Sequence, residues 1–244
     1  MKDLIDYTLH LADNTLILAQ RNAEWCGHGP VLEQDIAITN ITLDLVGQSR
    51  SFYQYAALLL NDGSTEDSLA YLRTEREYKN CLLMELPRGD WGQTILRQFF
   101  NSAYQFYLYQ YLQQYNDPQL AAIAEKSIKE VSYHLRWSSE WVIRLGDGTE
   151  ESHERMVQAL ETLWPYTGEF FTPAPYEQEL GIDLSAMQVS WNQKIKTVLE
   201  EATLAVPEKI FMQQGGKSGI HSEHLGFLLT DLQYMQRTYP GCEW

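Results

Sequence analysis

Apolar residues along the chain recur three and four positions apart, and no stretch alternates long enough to read as a strand. Gly and Pro clusters cut this pattern into eight predicted helices. The first covers about Asp3 to Trp25 and stops at GHGP (27–30); the second covers Val31 to Leu60 and stops at NDGS. Thr65 is a good N-cap with Glu66 and Asp67 behind it, so a third helix is read from there to Pro87. The fourth runs from about Trp91 to Tyr115. Asp117, with Pro118 at the first helical position, opens a fifth that GDG (146–148) ends, and Thr149 caps a sixth that reaches Phe171. Residues 172–182 read as a loop, a seventh helix follows Asp183, a second loop contains QQGGKSGI (213–220), and an eighth covers His221 to Tyr239. Segments of this length are rods of roughly 30 to 45 Å. Rods of that length pack lengthwise and antiparallel, so the expected fold is an all-α up-and-down bundle, one domain over residues 1–244.

The fourth segment is apolar on most sides. Phe100, Tyr104, Tyr107, Tyr111 and Tyr115 form one aromatic stripe, while Phe99, Phe106, Tyr109 and Leu112 cover other faces. Such a helix belongs in the interior. It also carries no Asp or Glu between Trp91 and Tyr115.

Charge narrows the choice of partner. With 33 acidic and 18 basic residues in 244, the net charge is -15, which argues against nucleic acid and against anionic lipid. Cys26, Cys81 and Cys242 are far apart and form no C-x-x-C, so neither a disulfide framework nor a structural zinc site is expected, and the compartment reads as reducing. Asp3, Asp6, His10 and Asp13 interrupt the N-terminus, unlike a signal peptide. The longest apolar run, Tyr55 to Leu60, is far short of the ~20 residues of a bilayer span. A soluble, cytoplasmic protein is expected, with a protein or small-molecule partner.

A bundle of long helices raises the question of a di-iron carboxylate site, which needs four carboxylates and two histidines, with E-x-x-H on each of two helices. The three-residue offset places both ligands on one helix face. Here E-x-x-H occurs once, at Glu150 and His153, in the first turn after GDG. Where the motif would be expected, Glu75 is followed by Tyr78 and Glu130 by Tyr133, with His134 one residue out of place. The fourth helix has no carboxylate to give. An atypical di-iron oxygenase or ferroxidase would have to draw on Asp44, Glu75, Glu130 and His134; that is the alternative reading.

Three further groupings carry candidate chemistry. His221, Glu223 and His224 offer two histidines at i and i+3 but no third ligand by spacing, and a helix-start or interface role suits them better. GGKSG (215–219) resembles a phosphate loop, yet the glycine required five positions before Gly216 is Phe211 and no strand precedes it. Arg73, Arg76 and Lys79 at i+3 steps make a basic ridge on an acidic protein, either a solvated face paired with Glu75 and Glu77 or a contact for an anionic ligand or acidic partner. Nucleophilic catalysis finds no G-x-S-x-G elbow, and Cys26 with His28 sits in a turn.

As a set, EWCGHGPVLEQDIAITNITLDLVGQSR (24–50), RTEREYKN (73–80), DPQLAAIAEKSIKEVSYHLRWS (117–138) and GGKSGIHSEHLG (215–226) are specific. With them the chain resembles, along essentially its whole length, the C subunits of bacterial ring-1,2-phenylacetyl-CoA epoxidases, the PaaC family. The resemblance implies a ferritin-like helical fold with additional helices and a non-catalytic, structural role in a multicomponent monooxygenase of phenylacetate degradation. In that family the di-iron centre lies in the A subunit, further subunits join it, and a reductase holds FAD and iron–sulfur. The C subunit binds no cofactor, stabilises the A subunit and helps form a composite phenylacetyl-CoA site. Carried over, the substrate contacts fall on Glu77, Tyr78, Lys79 and Asn80, beside Arg73 and Arg76; Glu77 and Lys79 are the positions least matched to the family pattern.

Overall fold

A computed structural model describes residues 1–208 and 210–242. In chain order the helices are α1 (Lys2–Ala23), α2 (Leu32–Leu60), α3 (Glu66–Tyr71), α4 (Leu82–Glu85), α5 (Trp91–Leu112), α6 (Pro118–Gly146), α7 (Glu150–Leu163), α8 (Pro175–Glu179), α9 (Leu184–Glu201) and α10 (Glu223–Thr238). Short 3-10 turns lie at Glu75–Glu77, Trp164–Tyr166, Gly168–Phe171 and Gly216–Ser218. No strand occurs among the described residues.

The caps read from sequence are the caps that form. Thr65 accepts from Ser68 N at 3.1 Å, Asp117 from Leu120 N at 2.8 Å, Thr149 from Ser152 N at 3.2 Å and Asp183 from Ser185 N at 3.0 Å. Each satisfies a backbone donor that the first helical turn leaves without a partner. At the other end of α2, Asn61 takes the left-handed conformation with φ 50, which stops the helix.

The chain divides into two compact units. The first comprises Met1–Pro87, Ala174–Ile182 and the residues from Gln214 on. In it α1 and α2 pack along their length, with α3, α4, α8 and α10 against them or one another. The second comprises Arg88–Pro173 and Asp183–Gln213 and is built from α5, α6, α7 and α9. Its core is aromatic. The Tyr104 and Phe170 rings stack with centroids 4.5 Å apart, and Trp191 lies against Phe100, Trp164 and Phe171 while its indole N–H donates to the Phe100 carbonyl at 3.0 Å. Helix α5 is the interior helix its composition required, although of its stripe only Phe100 and Tyr104 are fully buried; Tyr107, Tyr111 and Tyr115 are half-exposed.

Two predicted elements are corrected. The third helix does not run from Thr65 to Pro87: it breaks after Tyr71, and residues 72–81 contain only one 3-10 turn before the four-residue α4. The 172–182 loop contains α8, begun by Pro175 and held by Glu177, whose carboxylate accepts from Ala174 N at 2.7 Å. No described helix is long and apolar enough to cross a membrane.

Candidate functional site

The break after Tyr71 is explained by what surrounds it. Irregular backbone can be buried only if its N–H and C=O groups find partners outside a helix. Segment 73–81 finds them on side chains. Lys79 N donates to Asp13 at 2.8 Å, Cys81 N to Asn14 Oδ1 at 2.8 Å, and the Lys79 carbonyl accepts from His10 Nδ1 at 2.7 Å, all three partners being polar positions on the buried side of α1. From the opposite side, His221 donates to the Tyr78 carbonyl at 2.9 Å and Gln233 of α10 to the Arg73 carbonyl at 3.0 Å.

Charge pairs knit these contacts into one buried lattice. Asp13, Glu85 and Glu177 are fully buried carboxylates, and each meets a cation of the same chain. Asp13 takes a bidentate pair from Arg73 and a hydrogen bond from the Tyr53 hydroxyl. The Arg73 guanidinium also lies 4.3 Å from the centre of the Tyr78 ring, a favourable cation–π contact. Glu85 accepts from His221 Nδ1 at 2.7 Å, from Asn80 Nδ2 at 2.8 Å and from Ser222 N at 2.6 Å. Glu177 accepts from Lys217 Nζ at 3.0 Å. An unpaired buried charge costs several kcal/mol, so each carboxylate here requires its partner.

The two histidines of the lattice are pushed in opposite directions. Burial, and next the Lys217 ammonium, lower the pKa of His10 to about 4. It is therefore neutral at pH 7, with Nδ1–H given to the Lys79 carbonyl. Burial also works against a charge on His221, but the Glu85 hydrogen bond, the Glu85 charge and the Tyr78 carbonyl outweigh it and raise its pKa above the ordinary value. Burial raises the pKa of the Tyr53, Tyr78 and Tyr176 hydroxyls, so they act here as neutral donors and acceptors.

The six residues singled out at 73–80 are split by this arrangement. Arg73, Tyr78 and Asn80 are buried in the lattice. Lys79 is half-buried, 3.5 Å from Asp6 and over the Tyr176 ring. Arg76 and Glu77 are exposed; Glu77 accepts from the Thr74 hydroxyl and N–H at 2.7 Å each, which lower its pKa. A helical basic ridge is thus not formed, because there is no helix to align Arg73, Arg76 and Lys79. Arg76 lines a groove of about 550 Å³ with Glu75, Ser218, Gly219, Ile220, His221, Ser222 and Glu223.

The GGKSG loop proves structural. Its lysine is buried on Glu177, and a Cβ on Gly216 would stand 2.1 Å from the Asn80 carbonyl oxygen, so only glycine permits this approach. His221 leads into α10 rather than joining His224 in a metal pair. His153 Nδ1 lies 2.7 Å from the Gly146 carbonyl, at the end of α6. Of the alternative metal set, Asp44 is half-buried on α2 and Glu75 exposed in the first unit, whereas Glu130 is half-buried and His134 buried on α6 in the second. Among the described residues no three His, Cys, Asp or Glu side chains are grouped so as to hold a metal ion. Sequence reasoning missed Asp13, Glu85, Glu177 and Lys217; the available signal was the close spacing of His10, Asp13 and Asn14 in the middle of the first helix.

Fold and site together define an all-α protein in which buried carboxylates are neutralised by the chain's own cations. The sequence profile of the phenylacetic acid catabolic proteins matches residues 1–244. The C subunit of the 1,2-phenylacetyl-CoA epoxidase of Escherichia coli (strain K12) is 46% identical over 249 residues, spanning 100% of both chains. The chain belongs to the phenylacetic acid catabolic protein family, whose fold is ferritin-like and helical.

Proposed function

We propose that the chain is a non-catalytic subunit of a multicomponent phenylacetyl-CoA epoxidase, pairing with and stabilising the di-iron A subunit and completing its CoA-ester site. Full-length similarity to an epoxidase C subunit supports this. The observation that carries the non-catalytic part is the pairing of Asp13, Glu85 and Glu177 with Arg73, His221 and Lys217. Carboxylates that serve a metal need their charge left for it; these three are already neutralised by side chains that a di-iron bundle does not carry at its ligands. On this reading the di-iron centre belongs to the A subunit and FAD and iron–sulfur to the reductase, while this chain supplies surface and rigidity. The substrate segment then has two layers: Arg73, Tyr78 and Asn80 fix its backbone, and exposed Arg76 is the group available to an anionic CoA moiety.

Iron determination on the purified chain tests the non-catalytic part: far less than one iron per chain is expected, and stoichiometric iron overturns it. Titration of phenylacetyl-CoA tests the composite site. Binding should be weak on either subunit alone, stronger on the complex, and weakened by Arg76→Ala in the complex. Equal binding by the isolated chain would instead make it a stand-alone CoA module.

A further inference from the structure

Two adjacent carbonyls of the 73–81 segment are each held by a histidine, and the two rings are bonded differently. His10 Nδ1 is 2.7 Å from the Lys79 carbonyl, while the Asn14 amide approaches Nε2 at 3.2 Å. Cys81 N donates to Asn14 Oδ1 at 2.8 Å, which turns the amide NH2 toward the ring. An acceptor at one nitrogen and a donor at the other suit a neutral ring with one proton. His221 meets acceptors at both. Its Nδ1 is 2.7 Å from Glu85 Oε2 and its Nε2 is 2.9 Å from the Tyr78 carbonyl. The Glu85 oxygens also face two further donors, Ser222 N at 2.6 Å and Asn80 Nδ2 at 2.8 Å, the latter oriented by the Cys81 carbonyl at 3.2 Å. A carbonyl has no proton to give and the carboxylate is surrounded by donors, so both ring nitrogens of His221 must donate and the ring is an imidazolium. Its side chain is only 3% exposed, which leaves little room for water to replace either bond.

These bonds fasten a strap. Residues 215–222 cross the 73–81 segment backbone to backbone: a Cβ on Gly219 would stand 2.4 Å from the Arg76 carbonyl oxygen, just as one on Gly216 would meet that of Asn80. The strap is anchored at one point by Lys217 on Glu177 and at a second by His221, directly before Ser222 opens α10 with its N–H on Glu85. Each element packed around the His221 ring brings its own charges. Helix α4 brings Glu85; α1 brings Asp13, neutralised by Arg73, and Arg21, which donates to the Glu85 carbonyl at 2.7 Å. Glu75 and Arg76 of the segment and Glu223 of α10 line the groove that His221 also lines, and His224 follows one residue later. The two atoms bonded to the ring nitrogens are nevertheless both acceptor oxygens.

We propose that His221 is a proton-operated latch: doubly protonated, it ties the 215–222 strap and the start of α10 across the 73–81 segment, and loss of one proton unfastens them. A neutral ring keeps a single N–H. Given to Glu85, it leaves the Nε2 lone pair against the buried Tyr78 carbonyl; given to Tyr78, it leaves a lone pair against the carboxylate. Either way two acceptors face each other in a buried site, a contact that only separation relieves. The segment carrying Arg76 then loses its hold from the α10 side, while His10 keeps the Lys79 carbonyl. In the closed state the ring holds its proton more tightly than an ordinary histidine of pKa 6.5. Closure is therefore at full strength below pH 6.5, weakens as pH rises from there, and levels once the folded pKa is passed. The latch acts whatever the chain binds.

The test follows the full chain by two measurements. NMR titration of the assigned His221 ring gives its pKa. Hydrogen exchange of peptides covering 73–81 and 215–222, corrected for the base catalysis of free amides, gives the closure. The ring should titrate above 6.5, and protection of both peptides should fall about tenfold per pH unit between 6.5 and that pKa, while peptides of α6 stay level. His221→Gln, whose amide offers a donor on one side only, should leave both peptides weakly protected at every pH, with no step. The two wild-type measurements decide the matter even if His221→Gln does not fold. A ring pKa at or below 6.5 overturns the proposal. So does protection that stays level while the ring loses its proton, or a step that survives in His221→Gln.

Discussion

The two units reach a packed interior by different chemistry. In the first, the core contains three buried carboxylates with their cations and a stretch of irregular backbone whose peptide groups end on side chains. In the second, the centre is a cluster of Phe, Tyr and Trp rings from α5, α9 and the 3-10 turns after α7, with Arg97 and Glu169 also buried, while ion pairs such as Arg155 with Glu151 and Lys196 with Glu200 are at the surface. An aromatic core spreads its stabilisation over many individually weak contacts. A buried ionic core does not: each partner is essential once the other is present, and its geometry fixes the chain around it. The first unit is thus the specified one, and the segment carrying Arg76 hangs on it.

The largest expected effects test that contrast directly. Arg73→Met should cost about 3 to 5 kcal/mol in denaturant unfolding, because Asp13 is left charged and buried. Adding Asp13→Asn, which removes the second charge but keeps an acceptor for Lys79 N–H and the Tyr53 hydroxyl, should restore part of the loss. Trp191→Ala in the second unit should cost a similar 3 to 5 kcal/mol (about that range) through the cavity it leaves. There, no second substitution of a neighbour should restore stability. If Asp13→Asn gives Arg73→Met no rescue, the first core is held by packing rather than charge and the contrast falls.

A second test uses acid. The His10 pKa is about 4 in the folded chain against 6.5 ordinarily, so between these values the unfolded chain binds more protons and stability falls as pH falls. Over that window the loss amounts to about 3 kcal/mol, levelling below pH 4. His10→Gln should flatten this limb of the stability curve between pH 6.5 and 4 while leaving Trp191→Ala variants with the wild-type slope. A limb unchanged by His10→Gln would mean that another group carries the proton.

The same contrast sets what the sequence reveals. Caps at Thr65, Asp117, Thr149 and Asp183 act within three residues, and the long helices repeat locally, so both are readable. The ionic core joins Asp13 to Arg73, Glu85 to His221 and Glu177 to Lys217, partners separated by 40 to 136 positions. No local spacing encodes such pairs. Worse, Arg73, Arg76 and Lys79 mimic helical spacing in a segment whose backbone is claimed by α1 side chains, and tertiary contacts override the periodic pattern. The polar positions His10, Asp13 and Asn14 are visible in the sequence of the first helix. Their burial on α1 is the sign of a polar core, and only the fold shows it.

The smallest effect is expected where charge is most conspicuous. Arg155 is more than half exposed, 2.7 Å from Glu151 one helical turn away and 3.8 Å from Asp90. In water such a pair gains little over its hydrated, mobile alternatives, so Arg155→Ala should cost no more than about 0.5 kcal/mol. Whatever it costs should vanish in about 1 M salt, where the screening length is only about 3 Å. Arg73→Met should keep its full penalty in the same salt, because ions do not enter the space between Arg73 and Asp13. Equal salt sensitivity of the two losses would show that the buried pairs are solvated and would erase the distinction between the units.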